Sequence, residues 1–372
     1  MAKATNKSKD TDFMKMALSL AARGLGIVAP NPAVGCVIVK DGIVVGRGWT
    51  QKGGRPHAET EALARAGAAA RGATAYVTLE PCAHHGKTPP CAEALIAAGI
   101  ARLVGAVSDP DPRVAGKGYD MLRKAGIEVV EDVCETEARD LNQGFLQKVT
   151  EDRPLVTLKL ATSADGKTAT HGGQSRWITG EGARARGHYL RATHDAIMVG
   201  SATAVVDDPE LTCRLPGLEG QSPVRIIADG RLRLPLTSKL VRDAKKIPLW
   251  ILTLPGGDSA RRAAFVDCGA ELIDIQPGTD GLMDMKAAMR RLAERGVTRL
   301  LVEGGARLAA SLISAHLVDR IEWFRASRII GGDGYSGIAS LGIELLDKAP
   351  SLALTRTVFL GEDTLSSYVV RG

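Results

Sequence analysis

Aromatic residues are scarce in this 372-residue chain: five Phe, five Tyr and four Trp, 4% of the total. A groove for single-stranded nucleic acid relies on aromatic stacking platforms, so the shortage argues against that class despite a net charge of +6. The charge leaves three readings open: a nucleic-acid surface, attraction of small anionic substrates, or solubility alone. No apolar run approaches the ~18 residues of a membrane span. The opening MAKATNKSKDTD has neither an apolar signal core nor an Arg-rich transit pattern, so a cytoplasmic protein without membrane contact is expected. Six cysteines are too dilute for a disulfide framework, and in a reducing compartment they favour metal binding or free thiols. Low-complexity tracts and repeats of about 20 to 50 residues are also missing. No GxGxxG follows a strand, which excludes the ordinary Rossmann dinucleotide site.

What is present is ordinary globular composition, 45% hydrophobic and 24% charged, at a length that predicts two domains. Residues 12–23 carry apolar side chains at helical spacing. GCVIVKDGIVVGRG then reads as two strands joined by a tight Asp41-Gly42 turn. Helices over HAETEALARAG, CAEALIAAG and GYDMLRKAG alternate with strands over ATAYVTLE, ARLVGAVS and IEVV, which predicts an α/β sandwich with parallel strands late in the sheet. The polar segment LQKVTEDRP, residues 146–154, marks a boundary near residue 150. Beyond it the alternation resumes through HDAIMVGS, VRIIADG, PLWILTL, AELIDIQ and TRLLVEGG, with a helix over 281–296. Two α/β domains, 1–150 and 151–372, are expected.

The chemistry concentrates in EPCAHHGKTPPC. Cys82 and Cys91, with eight residues between them, and His57 of the earlier HAE stretch all fall at or near expected helix starts, which favour the metal-binding thiolate. Three such ligands leave a fourth tetrahedral position for water, the catalytic arrangement of zinc. Glu59, two residues after His57, is placed to move protons rather than to ligate, as in the H-x-E plus Pro-Cys logic of zinc deaminases. The alternative is two buried thiols and a histidine capping a helix. His84 and His85 would close the site as ligands, so they and Lys87 are expected to face substrate or solvent. Asn31 is either a substrate-edge hydrogen-bonding residue or a turn residue in PNP. Asp109 is either a cleft residue or part of an Asp-Pro turn.

NPAVGCVIV, HAETEAL, TLEPCAHHGKTPPC and SDPDPRVAGKG together resemble the N-terminal half of the bifunctional riboflavin-biosynthesis deaminase/reductase family. That half belongs to the cytidine-deaminase-like superfamily, with a three-layer α/β/α fold. The resemblance spans residues 12–150. It implies hydrolytic deamination of 2,5-diamino-6-ribosylamino-4(3H)-pyrimidinone 5′-phosphate, with zinc on His57, Cys82 and Cys91, Glu59 as proton donor and Asn31 at the substrate. The long insert between the cysteines separates this family from the short Pro-Cys-x-x-Cys of nucleoside and nucleic-acid deaminases.

In the second half, VEGGARLAASL follows a buried strand with a Gly-Gly turn and a helix, which offers free amides to an anion. KLATSADGKTA, SRWITG, VGSATAVVDDPELTCR and VEGGARLAASL resemble the reductase half of the same family, a dihydrofolate-reductase-like α/β fold that uses NADPH to reduce ribosyl to ribityl. One departure is Ala164, where the family more often has leucine before Asp165. The resemblance implies NADPH contacts at Thr162, Trp177, Thr203, Asp207 and the turn and helix start Gly305, Ala306, Arg307, Leu308, Ala309, Ala310 and Ser311. It places substrate at Ser175, Arg191, Leu211, Arg214 and Glu303. Arginine suits a bidentate grip on a 5′-phosphate and Trp177 a flat face for a ring. Lys159 and Asp207 are expected to support the ring-opened sugar. Taken singly, Arg191 and Arg214 also read as solvated charges, Trp177 as a core aromatic and Asp207-Asp208-Pro209 as a turn. The expectation is a bifunctional enzyme acting on phosphorylated pyrimidines without nucleic acid, as a homo-oligomer. Its rivals are a nucleic-acid deaminase and a zinc-stabilised module that senses a pyridine nucleotide.

Overall fold

A computed structural model of the chain describes residues 2–85, 89–112 and 114–371, with residues 2–7 described by their backbone alone. It divides into two compact units, Met1–Asp152 and Arg153–Gly372. The first runs α1 (Ala2–Ala21), β1 (Gly35–Lys40), β2 (Ile43–Trp49), α2 (Ala58–Ala66), β3 (Thr74–Val77), α3 (Cys91–Ala97), β4 (Arg102–Gly105), α4 (Lys117–Lys124), β5 (Glu128–Val130) and α5 (Glu135–Glu151). Its sheet has the order β2-β1-β3-β4-β5, antiparallel at β2-β1-β3 and parallel from β3 onward.

Helices cover both faces of this sheet, and strand alternation shows how. Gly35, Val37 and Tyr76 share one face with α1: a Cβ on Gly35 would lie 1.9 Å from the Ala17 carbonyl oxygen, and the Tyr76 hydroxyl donates to Asp10 Oδ1 at 2.8 Å. Cys36, Ile38 and Gly48 share the other face with α2, where a Cβ on Gly48 would lie 2.3 Å from the Ala58 carbonyl oxygen. Glycine at these points lets backbone rest on backbone, and this seats α2, with His57 and Glu59, directly on the strands.

Two elements differ from the sequence expectation. Helix α1 begins about ten residues before the apolar spacing does. Residues 146–151, expected as a polar linker, are instead the last turns of α5. Leu141 and Phe145, one turn apart, pack into the first core. Buried Asn142 accepts from the Ala33 amide and donates to its carbonyl at 2.9 and 3.0 Å, tying α5 to the loop before β1.

The second unit runs β6 (Leu155–Ser163), β7 (Lys167–Ala169), α6 (Glu181–Ala192), β8 (Ala196–Gly200), α7 (Ser201–Asp207), β9 (Val224–Ala228), α8 (Lys239–Arg242), β10 (Leu249–Thr253), α9 (Ser259–Asp267), β11 (Glu271–Asp274), α10 (Met285–Glu294), β12 (Arg299–Glu303), α11 (Ala306–Ser314), β13 (Arg320–Ala326), β14 (Tyr335–Ser336), β15 (Ser351–Leu360) and β16 (Asp363–Arg371). Its main sheet has the order β11-β10-β9-β8-β12-β6-β13-β16-β15, parallel as far as β13 and antiparallel over the last two strands. The strand and helix alternation legible in the sequence stops at α11. The closing strands escaped it because β15 is mostly exposed and shows no clean apolar alternation.

The two faces of this sheet carry separate cores. Val156, Leu158, Leu160, Leu300 and Val302 pack with α10 and α11, whereas Ile197, Val199, Ile227 and Leu301 pack with α6, α7, α8 and α9. From β8 the chain moves toward β9, and from β12 toward β13 on the opposite side. Adjacent parallel strands whose exits diverge open a crevice at their carboxyl ends, the usual ligand position in an open α/β sheet.

Behind α6, His194 is fully buried: Nδ1 donates to the Leu190 carbonyl at 2.7 Å and Nε2 accepts from Thr157 Oγ1 at 3.1 Å. Burial, followed by the Arg299 charge, lowers its pKa to about 3. The fold therefore refuses a proton that the unfolded chain accepts below about pH 6.5, and stability falls with pH from there to about 3. His194→Gln should flatten the slope of unfolding free energy by up to about 1.4 kcal/mol per pH unit in that window, measured by urea unfolding from pH 6.5 to 4. An unchanged slope would assign the acid sensitivity elsewhere.

Candidate functional site

His57 is the residue at which α2 begins, yet its ring makes no capping bond. Its Nδ1 points instead at Cys91 Sγ, 3.3 Å away, and at Cys82 Sγ, 3.7 Å away, and all three ligand atoms lie within 4.8 Å of one another. Cys91 opens α3 as expected. Cys82 does not sit at a helix start: it lies in the loop after β3, where the Cys91 amide donates to its sulfur at 3.3 Å. The Cys91 thiol, opposed by partial burial and aided by His57 and that amide, lowers the Cys82 pKa to about 4. Sharing the proton with Cys82, together with burial, pushes Cys91 far up. One nitrogen and two sulfurs converging in this way match a tetrahedral zinc site with one position left over.

Glu59 is 3% exposed and is not among the converging ligand atoms. Burial first, then the Cys82 charge, raises its pKa to about 7, suited to giving and taking protons near neutrality. Asn31 lies over the turn just before His57: a Cβ on Gly54 would fall 1.6 Å from Asn31 Nδ2, so only glycine lets the amide rest there. His84 is half-buried, and its Nδ1 has no hydrogen-bond partner among the described residues. His85 is exposed and contacts Glu93 at 3.1 Å. Lys87 lies outside the described residues.

Glu80, to which the sequence reading assigned no role, accepts three backbone amides: Asp109 at 3.2 Å, Gly116 at 3.0 Å and Gly118 at 2.9 Å. It pins the loop after β4 beneath Pro81 and Cys82. Asp109, offered as a cleft residue, is part of that construction, and its Oδ1 accepts from the Asp111 amide at 2.9 Å as in an Asx turn.

In the second unit Lys159 and Glu303 are register partners on neighbouring parallel strands, on the face covered by α6. Arg191 of α6 donates to both Glu303 oxygens, at 2.7 and 2.9 Å, and through its third nitrogen to the Thr212 carbonyl at 3.0 Å; Lys159 Nζ stands 3.5 Å from Glu303. Burial pushes the Glu303 pKa up, but Arg191 and Lys159 outweigh it and hold the group at about 2. All three Arg191 nitrogens are thus engaged within the protein, and it is not presented as a free phosphate fork. Arg214 is exposed and bonded to Glu210 at 2.7 Å and Thr212 at 3.1 Å. Buried Leu211 has a φ of 57°, which turns the chain between Asp207 and Arg214. His188, one turn before Arg191, was not singled out from the sequence. Its Nδ1 lies 3.1 Å from the Thr212 carbonyl and 3.3 Å from the Arg214 amide.

At the crevice, Gly304 and Gly305 have φ values of 76° and 88°, and Thr203 of α7 packs against both. Of the stretch from Gly305 to Ser311, only Gly305, Ala306, Arg307 and Ser311 reach the surface. Leu308, Ala309 and Ala310 are buried, the first two within the core that α11 forms with the sheet. Thr162 is likewise not a presented side chain: it is fully buried, its hydroxyl donating to the Ser163 carbonyl at 2.8 Å and accepting from Trp323 Nε1 at 2.9 Å. Trp177 is not a core aromatic. It is 64% exposed, with the Arg184 guanidinium 4.7 Å from its ring centre, and Ser175 beside it is exposed. Arg176 donates to the Asp207 carbonyl at 3.0 Å, and burial raises the Asp207 carboxyl pKa. Asp165 after Ala164 accepts from Ser163 and from the Ile330 and Gly331 amides, bracing the strand end that carries Thr162.

Residues 154–365 match the RibD C-terminal domain, and residues 7–107 match the cytidine and deoxycytidylate deaminase zinc-binding region. The riboflavin biosynthesis protein RibD of Actinobacillus pleuropneumoniae is 42% identical over 97% of this chain and 95% of its own length. The RibD of Aquifex aeolicus is 43% identical over 95% and 96%. Among solved structures, RibD of Acinetobacter baumannii, 38% identical, superposes with a TM-score of 0.89 over 98% of this chain and 100% of its own. A diaminohydroxyphosphoribosylaminopyrimidine deaminase/5-amino-6-(5-phosphoribosylamino)uracil reductase of Thermotoga maritima, 34% identical with a TM-score of 0.85, has the same coverage. Sharing over a third of its residues with these proteins along nearly its whole length, the chain belongs to the RibD family of bifunctional riboflavin-biosynthesis enzymes.

Proposed function

We propose that the first unit removes the amino group of 2,5-diamino-6-ribosylamino-4(3H)-pyrimidinone 5′-phosphate by hydrolysis. The second then reduces the ribosyl group to ribityl with NADPH, giving 5-amino-6-ribitylamino-uracil 5′-phosphate. The observation that carries the reading is the convergence of His57, Cys82 and Cys91 beside buried Glu59, in a chain whose relatives share both halves. Zinc held there supplies a water acidic enough to act as hydroxide near neutral pH. Glu59, shielded from solvent, takes a proton and returns it to the leaving ammonia, and Asn31 orients the pyrimidine edge.

In the second unit NADPH supplies hydride from the crevice between β8 and β12. The amides of the Gly304-Gly305 turn at the start of α11 would hold its phosphates, and Thr203, Asp207 and Trp177 would line it. Lys159 faces the opened sugar with Glu303 holding its charge, Asp207 shares in bringing a proton to the imine nitrogen as hydride reaches C1′, and Arg214 reaches the 5′-phosphate. Arg191 positions Glu303 and the 210–214 segment. The reading includes a cytoplasmic enzyme acting on free small molecules. It also includes self-association through the edge of the second sheet, where Leu354, Phe359 and Val369 are exposed.

A coupled assay tests it, following ammonia and NADPH oxidation separately with the diaminopyrimidine phosphate as substrate. Chelation of zinc should stop ammonia release while NADPH oxidation on the deaminated intermediate continues. Ammonia release that survives complete metal removal would overturn the zinc assignment. Tight, salt-sensitive RNA binding without pyrimidine turnover would favour a nucleic-acid deaminase.

A further inference from the structure

Helix α6 lies over Lys159, and a Cβ on its Gly187 would stand 3.9 Å from the lysine Cε. The next residue, His188, is half-buried on the same helix, one turn before Arg191. Both side chains reach the backbone of the 211–214 segment. Leu211 and Cys213 of that segment are buried, whereas the Arg214 side chain is 52% exposed.

Backbone polar groups outside helices and strands still need partners, and here neighbouring side chains supply three. The Thr212 carbonyl accepts from Arg191 at 3.0 Å, the Cys213 amide donates to Ser222 Oγ at 3.1 Å, and the Arg214 amide donates to His188 Nδ1 at 3.3 Å. Nδ1 also stands 3.1 Å from the Thr212 carbonyl, but one ring nitrogen does not donate and accept at once. Arg191 already serves that carbonyl, and among the described residues nothing else accepts from the Arg214 amide. The bond to Arg214 therefore fixes the tautomer, with the proton on Nε2 and Nδ1 as acceptor. Burial, then the charges of Arg191 and Arg214, lower the His188 pKa, which keeps the ring neutral for that task.

We infer that His188 is a positioning residue of the reductase: by holding the Arg214 main chain it aims the exposed guanidinium at the 5′-phosphate of the substrate. The inference rests on the proposed phosphate contact of Arg214. The guanidinium is steadied by Glu210 and by Thr212 Oγ1, but both belong to the same stretch of chain and move with it. The hydrogen bonds that tie the stretch to the rest of the unit come from Arg191, Ser222 and His188, and of these only His188 grips Arg214 itself. Arg191 is also bound to Glu303, so its loss would disturb Lys159 as well. His188 can be changed without breaking any bond of that ion pair.

Steady-state reduction of the deaminated intermediate, with and without its 5′-phosphate, tests this on the full chain and its H188A, H188N and R214A variants. H188A should raise KM for the phosphorylated compound about 5- to 30-fold, with a much smaller change in kcat and a much smaller loss on the compound without phosphate. In H188N the amide oxygen takes the place of Nδ1 and accepts from the same N–H, so most of the loss should be recovered. Should H188A fold poorly, H188L keeps the bulk without the acceptor and carries the same comparison. An equal loss on both compounds, a loss confined to kcat, or no recovery in H188N overturns the role of His188. A raised KM in R214A beside an unchanged KM in H188A overturns the inference alone. An unchanged KM in R214A overturns the phosphate contact of Arg214, and the inference with it.

Discussion

Glu59→Gln should abolish ammonia release while the protein keeps its zinc and its reductase activity. The amide has the same shape as the carboxyl group and fits the same buried position, but it cannot accept a proton at neutral pH. Positioned acid–base groups contribute about 10²- to 10⁴-fold, and Glu59 is proposed to act on both the water and the leaving group, so the upper end of that range is expected. Metal content by atomic absorption and ammonia release are the two readings. Loss of zinc in the variant would make Glu59 a ligand, and retained deamination would move the proton transfer to another residue.

Glu303→Gln should destabilise the second unit by about 3 kcal/mol or more and disable reduction. Glu303 is the only carboxylate in contact with Arg191 and Lys159 among the described residues, and it is 8% exposed. Removing one partner of a buried ion pair costs about 3–5 kcal/mol because the remaining charge is left uncompensated. The sign with pH is definite. The folded pKa of about 2 lies below the ordinary 4.5, so the stabilisation is complete above about pH 4.5 and is lost as pH falls toward 2. The variant should therefore lose stability at neutral pH and show a flatter acid limb. Urea unfolding at pH 7 and pH 3 measures both; equal destabilisation at the two values would sink the electrostatic account. Reduction falls because Arg191, freed from Glu303, no longer holds the Thr212 carbonyl and the segment bearing Leu211 and Arg214.

The zinc cluster was the most legible part of either site. His57 and Glu59 are two positions apart at a helix start, and Cys82 follows a strand, so local geometry nearly dictates where those atoms go. The Gly-Gly turn after β12 was legible for the same reason: strand, turn and helix are consecutive. Strand and helix alternation likewise exposed the two α/β layers, whereas the end of α5 was misread because most of its residues are polar, even though Gln147 among them is buried.

The remainder of the second site was hidden. Arg191 and Glu303 are 112 positions apart, and no spacing rule announces that they share a bidentate pair. Thr162 and Leu308 fall within motifs yet are buried. By itself, then, the sequence pointed to the chemistry that rests on local motifs: the proposed zinc ligands, the glutamate proposed to carry the proton and the turn proposed to hold an anion. Only the tertiary structure decided which arginines are spent on internal ion pairs and which remain outward. That choice depends on strand register and helix facing, which arise from packing whole layers together and leave no periodic trace along the chain.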